Sequence, residues 1–398
     1  MSWPLVRISD ICTKVTDGSH NPPKGIDKSD FLMLSSKNIF DDDINFDKPR
    51  YLSKENFQSE DKRTQVTIGD VLLTIVGTIG RAAVVNESHG QFVLQRSVAV
   101  LKPKPEMICP RFLMYTLQNM SSKLVRESRG VAQKGIYLKQ IKELEIPLPP
   151  LYVQKQIAAV LEKANTLRGQ CQQMEQELNT LAQSVFLDMF GDPAVNPKNW
   201  NVQPVKSFLE VTTGNTPSKA NDDYYSSDFI EWAKSDNINT PSDYLTKASV
   251  YLSEEGKKVA RTVSAGSILV TCIAGSPSCI GNAAITDREV AFNQQINAVT
   301  PIQGKSVSEY IYMSFIVGKQ LIQRASTNSM KGMVSKGNFE KIEFPLPPVE
   351  FQEKYSEFFR ELLDKRLLAN QKFQSEHELF NSLMQKAFKG ELELKDVA

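Results

Sequence analysis

Two basic stretches carry the residue types that bind phosphate. Lys123, Arg126, Arg129, Lys134 and Lys139 run with Glu127 as the one acid among them, and Lys319, Arg324, Lys331, Lys336 and Lys341 run with only Glu340. Lys134-Gly135 and Lys331-Gly332 are separated by the same displacement as Lys139 and Lys336. Such groups do no covalent chemistry here. They neutralise anions, and duplex DNA offers one phosphate charge about every 1.7 Å of axis. Reading bases needs Arg, Lys, Asn, Gln, Ser or Thr at groove edges. The candidates are Ser19, His20, Lys24, Arg81 and Arg96 in the first half, and Lys219, Lys234, Ser276 and Gln294 in the second. For any one of these a solvated face or a surface ion pair is the plain alternative. The matched placement favours phosphate for the basic groups together.

Two glycine loops, Gly77-Thr78-Ile79-Gly80-Arg81 and Gly275-Ser276-Pro277-Ser278-Cys279-Ile280-Gly281, follow apolar runs. They read either as amide cradles for phosphate or as plain tight turns. No Gly-Lys-Ser/Thr follows either, so no nucleotide is implied. Ser35-Ser36-Lys37-Asn38 and Lys234-Ser235-Asp236-Asn237 read as groove contacts or as turn-forming polar groups.

Other chemistry is excluded. The three histidines (His20, His89, His377) lie far apart, and neither an HExxH nor a paired CxxC occurs, so a His/Cys metal site is not expected. Five scattered cysteines are odd in number and fit reduced thiols rather than a disulfide framework. Lys+Arg is 47 against Asp+Glu 46, net +1, so any nucleic-acid surface is local. No apolar stretch approaches the roughly 18 residues of a membrane helix, and no signal peptide is read at the start. A soluble, cytoplasmic protein is expected.

The elements that position these groups repeat. Val15-Thr16-Asp17-Gly18 returns as Val211-Thr212-Thr213-Gly214, Tyr51-Leu52-Ser53 as Tyr251-Leu252-Ser253, and Gln95 through Val100 as Gln294 through Val299. Pro147-Leu148-Pro149-Pro150 returns as Pro345-Leu346-Pro347-Pro348, each with a glutamine four residues on, Gln154 and Gln352. All are displaced by about half the chain, so the chain is two tandem copies.

Each copy splits. Residues 1–150 have strand-and-turn texture with a helix expected over Pro110–Arg129. From Leu151 to Phe190 there is one glycine and no proline, and Gly191-Asp192-Pro193 then stops the helix. The second copy behaves likewise, with mixed texture before Pro348 and helix from Val349 to Gly390. Val153, Ile157, Val160, Ala164, Leu167, Cys171, Met174, Leu178, Leu181 and Val185 step 4-3-4-3, an a/d heptad seam. Tyr355, Phe359, Leu362, Ala369, Phe373, Phe380, Leu383 and Ala387 follow the same rhythm, broken by Arg366 and Glu376.

The expected fold is α+β: two similar mixed α/β recognition domains alternating with two long helices paired as an antiparallel coiled coil, with a pseudo-two-fold. The expected boundaries are 1–150 and 192–348 for the domains, 151–191 and 349–390 for the spacer helices, and 391–398 for a tail. Two unequal heads on a rod about 60 Å long suit a DNA target with two unequal half-sites, and the rod length would set the gap between them.

The chain resembles the specificity subunits of type I restriction–modification systems. The marks are Asp17-Gly18-Ser19-His20-Asn21-Pro22-Pro23, the two Pro-Leu-Pro-Pro helix starts with their glutamines, Met189-Phe190-Gly191-Asp192-Pro193, and Trp232-Ala233-Lys234-Ser235-Asp236-Asn237-Ile238. The resemblance spans the whole chain. It implies a non-catalytic subunit whose two target-recognition domains each read half of a bipartite double-stranded DNA site, and whose helices dock two modification subunits. The subunit holds no cofactor. S-adenosylmethionine and adenine N6 methylation belong to the modification subunits, and restriction subunits join the full complex. Asn21-Pro22-Pro23-Lys24 is similar to the Asn-Pro-Pro-aromatic motif of adenine-N6 methyltransferases, but Lys24 replaces the aromatic that stacks on a flipped base. A two-headed protein-binding scaffold on a coiled-coil rod is the alternative.

Overall fold

The computed structural model describes residues 3–129, 134–327 and 332–392. Among the described residues, those up to Gln172 together with those from Gln371 onward form one compact unit, and Gln173–Asn370 form the other. The chain is mixed helix and sheet, and the two units repeat one architecture.

In the first unit a four-stranded antiparallel sheet runs in the order Cys12–Asp17, Val98–Pro103, Val71–Thr74, Ala82–Val84. The stretches Val71–Leu73 and Val98–Leu101 of its central strands are apolar throughout because both faces are covered, and successive side chains alternate between the faces. Val71, Leu73, Ala99 and Leu101 pack with helix Pro110–Asn119. Leu72, Val98 and Val100 pack on the other side against Leu34, Phe92 and Leu94. These last residues belong to a second sheet ordered Arg50–Tyr51, Leu32–Leu34, Phe92–Leu94, the final pair parallel. The second unit repeats the first sheet as Leu209–Thr213, Ile296–Pro301, Ile268–Thr271, Ala283–Ile285. It repeats the parallel pair as Ile230–Ala233 and Val290–Phe292, with Tyr251–Leu252 and Thr262–Val263 at the edges.

The repeated motifs are local constraints on this architecture. A Cβ at Gly18 would stand 2.1 Å from the Leu94 carbonyl oxygen, and one at Gly214 would stand 2.2 Å from that of Asn293, so only glycine lets the two segments cross in each unit. Ser53 and Ser253 are N-caps whose hydroxyls accept from Asn56 and Gly256 N–H. Asn38 and Asn237 are buried turn staples: each amide oxygen accepts a backbone N–H three residues back, from Ser35 and Lys234, at 3.0 Å. That settles the choice for both tetrapeptides at the asparagine. The expected helix over Pro110–Arg129 is two helices, Pro110–Asn119 and Ser121–Glu127, broken at Met120.

The long helices span Leu151–Phe190 and Val349–Lys389, each followed by a left-handed glycine, Gly191 (φ +79°) and Gly390 (φ +74°). In the first unit Ile157, Leu161 and Ala164 share a core with Phe380, Met384 and Ala387, and the Arg168 guanidinium lies 4.5 Å from the Phe380 ring centroid. In the second, Ala182, Phe186 and Phe190 share a core with Tyr355, Phe359 and Leu362. Within each unit, then, the two helices lie side by side.

The heptad seam on the first helix is corrected in part. Leu167, Met174 and Leu181 are 37, 40 and 42 % exposed, whereas Leu161, Ala182 and Phe186 are buried. A straight α-helix drifts about 20° per heptad, and here the face covered by each head decides the buried stripe. The second helix buries six of its eight seam residues, Tyr355, Phe359, Leu362, Ala369, Phe380 and Ala387, while Phe373 and Leu383 are half-buried. Among the described residues no helix is long and apolar enough to cross a membrane, and no cluster of His, Cys, Asp and Glu could hold a metal ion.

Candidate nucleic-acid interface

At the end of the first unit's main sheet, the chain that precedes the Pro-Leu-Pro-Pro motif crosses the strand Val71–Thr74 just beyond its end. Gly135 bridges Val76 and Arg129, and Ile136 N–H donates to the Ile75 carbonyl at 2.9 Å. This builds a cleft of about 510 Å³ floored by Ile75, Val76 and Ile136. Its rim carries His20, Arg63, Arg96, Arg129 and Tyr137, with Asp17 beneath. Asp17 orders two of these groups. His20 Nε2–H donates to Oδ2 at 2.8 Å, and Arg63 donates to Oδ1 at 2.5 Å and to the Asp17 carbonyl at 2.8 Å. Arg96 donates only its backbone N–H, to the Ser19 carbonyl at 2.9 Å, and its exposed guanidinium has no partner among the described residues. Three guanidiniums against one carboxylate give the cleft a net positive charge. Arginine also matches the O6/N7 edge of guanine bidentately.

The structure thus brings together His20, Arg96 and Arg129; Ser19 is buried and does not line the cleft, and Lys134 is exposed beside Gly135. Lys134→Ala is expected to weaken DNA binding equally across sequences and to reduce the salt slope by about 1. An unchanged slope with lost base preference would contradict this phosphate assignment. Lys331, its counterpart, lies outside the described residues.

Other candidates fall elsewhere. Lys24, Lys123 and Arg126 are exposed but do not line the cleft, and the Arg81 guanidinium sits 4.8 Å from the Phe40 ring centroid. The Gly80 and Gly281 amides donate to the Thr74 and Thr271 carbonyls, so they close tight turns and offer nothing to a phosphate.

In the second unit the same end carries different side chains. The bridge at Val76 becomes a short ladder, Ile273–Ala274 with Gly332–Met333. Arg261 repeats Arg63 and donates to the Thr213 carbonyl at 2.8 Å, but Thr213 replaces Asp17, and among the described residues no carboxylate pairs with it. Gln294 is exposed and accepts from the Thr216 hydroxyl. Lys234 lies 5.4 Å from the Trp232 ring centroid, Ser276 bonds Ser278, Lys219 is exposed, and Lys336 pairs with Glu340 at 3.6 Å. Sequence reasoning missed Arg63, Arg261 and Tyr137. The two arginines were detectable, since each follows a Tyr-Leu-Ser helix start at the displacement of the repeat.

All five cysteines are free, and burial pushes the Cys12 and Cys272 thiols up to about 12.

The family described as type I restriction modification DNA specificity domain matches residues 2–179 and 197–375. The chain is 24 % identical to the putative type I restriction enzyme MjaX specificity subunit of Methanocaldococcus jannaschii over 380 residues, covering 88 % of this chain and 84 % of the relative. It is 33 % identical over 169 residues to the EcoBI specificity subunit of Escherichia coli, covering 41 % of this chain and 35 % of that one. The crystal structure of a type I restriction-modification S subunit from M. genitalium superposes with a TM-score of 0.63 at 12 % identity, over 98 % of this chain and 96 % of the other. The scaffold alternative is not favoured. The chain belongs to the type I restriction–modification DNA specificity family, carries two copies of its domain, and is a DNA sequence-specificity subunit.

Proposed function

We propose that each head reads one half of a bipartite DNA site and that the chain performs no chemistry of its own. One observation carries this: the same sheet is built twice, and at the same end of it gather Asp17, Arg63 and Arg96 in one unit and Thr213, Arg261 and Gln295 in the other. A shared scaffold with unlike side chains at one end suits two unlike half-sites. In this reading the heads span residues 1–150 and 192–348. The long helices pair antiparallel over their whole length, giving a pseudo-two-fold and a fixed gap between half-sites. Their exposed Leu167, Met174, Leu181, Leu367 and Leu368 form apolar surface on which two modification subunits dock. Those subunits bring S-adenosylmethionine, and restriction subunits complete the complex in the cytoplasm, where free thiols are stable.

Replacing residues 1–150 by the first head of another such subunit is expected to change one half-site and leave the other intact. Genome-wide mapping of N6-methyladenine in cells supplying the modification subunit reads the result. A change in both half-sites would show that the heads do not read separately.

A further inference from the structure

Each head is tied to a long helix by an ion pair, and the polarity of that pair is reversed between the units. In the first unit Arg111, on the head's helix Pro110–Asn119, reaches Glu162 of the long helix at 3.1 Å. In the second unit Glu309, on the head's helix Ser308–Val317, accepts two bonds from Arg360 of the long helix, at 2.6 and 3.1 Å. One displacement relates Arg111 to Glu309 and Glu162 to Arg360, the same that relates Gln154 to Gln352. These are therefore equivalent positions with the charges exchanged.

The neighbouring contact does not discriminate. Asp42 in the first head is held by Arg111 and by Asn165 of the long helix at 3.0 Å, and Asp243 in the second by Tyr312 at 2.8 Å and by Arg366. An aspartate faces the long helix in both units, and Arg168 and Arg366 are the same residue at equivalent positions. Among the described residues, only the 111/162 and 309/360 head–helix pairs change sign.

We infer that this reversed ion pair is a key that assigns each head to its own long helix and bars it from the other, whether within the chain or on a second copy. Moving the second head onto the first helix sets Glu309 against Glu162. Moving the first onto the second sets Arg111 against Arg360. Glu309 is only 6 % exposed, and a buried carboxylate facing another carboxylate lacks both water and a partner. The matched pairs need add little stability, since partly exposed pairs are weak. The device works by penalising the wrong combination.

The test needs no DNA, so its outcome is separate from that of the half-site reading. In the full chain, Arg360→Glu is expected to lower the thermal midpoint about 3 °C more than Arg360→Gln, the shift of ~1 kcal/mol for a unit of this size. The difference should shrink by half or more in ~1 M salt, where the screening length is about 3 Å. In a second chain, residues 4–150 are replaced by another copy of residues 202–348, so the copied Glu309 faces Glu162. There Glu162→Arg is expected to raise the midpoint, whereas in the parent chain the same change lowers it. The key is overturned by equal effects of Arg360→Glu and Arg360→Gln, or by Glu162→Arg acting in one direction in both chains. It is overturned equally if the duplicated chain fails to fold with and without Glu162→Arg, since something other than this pair would then bar the exchange.

Discussion

Gln352→Leu is expected to cost ~3–5 kcal/mol of stability, one of the largest losses from any single substitution in this chain. The glutamine is fully buried, and its side chain is spent on the backbone. Its oxygen accepts from Val307 N–H at 3.1 Å, and its amide donates to the Lys305 and Pro347 carbonyls at 3.2 and 2.8 Å. One residue thereby joins the Pro-Leu-Pro-Pro turn, the first turn of the long helix and the loop leading into the head's helix. Gln154 makes the same three contacts, to Cys109 N–H and to the Met107 and Pro149 carbonyls. Leucine fills a similar volume but leaves one N–H and two carbonyls without that partner, the Pro347 carbonyl buried and the other two part-buried, at ~1–3 kcal/mol each. Some relaxation keeps the sum below the full total. At ~2–4 °C per kcal/mol, the second unit's melting midpoint should fall by about 6–20 °C, measured by circular dichroism. Gln154→Leu should act alike on the first unit. A loss under ~1 kcal/mol would show that water enters and takes over these bonds.

Arg96→Ala is expected to weaken binding of the assembled complex to its own site by ~10–100-fold, equivalent to 1–3 kcal/mol. Arg96 is singled out because its guanidinium is exposed on the cleft rim without a partner among the described residues, whereas Arg63 is already held by Asp17. A base-reading arginine loses discrimination at one position when removed. The expected signature in competition binding is therefore relaxed preference at one base of the first half-site and an unaltered second half-site. Uniform weakening with a shallower salt dependence would reassign Arg96 to a phosphate.

What is legible in the sequence is local. Gly18 and Gly214, Ser53 and Ser253, Asn38 and Asn237, and Gln154 and Gln352 each satisfy a constraint that one side chain, or the lack of one, meets within a few ångströms. Such constraints recur unchanged in both copies, so the order of residues alone reveals the repeat. The long helices are legible for the same reason, as proline-free runs ended by glycine. Which face of a helix is buried is not a local property. Leu167, Met174 and Leu181 fit a heptad but are exposed, while Arg366, which breaks the rhythm, reaches Asp243. The cleft is also beyond reach of the sequence, because Asp17, Arg63, Arg96 and Arg129 come from four separate stretches that meet only when the strands order as they do. The reversed pairs 111/162 and 309/360 show both sides. The sequence alone sets the four charges and their shared displacement, but only tertiary packing makes them partners. The Coulomb attraction between two side chains depends on their separation in space and on the medium between them, and neither is written in their spacing along the chain.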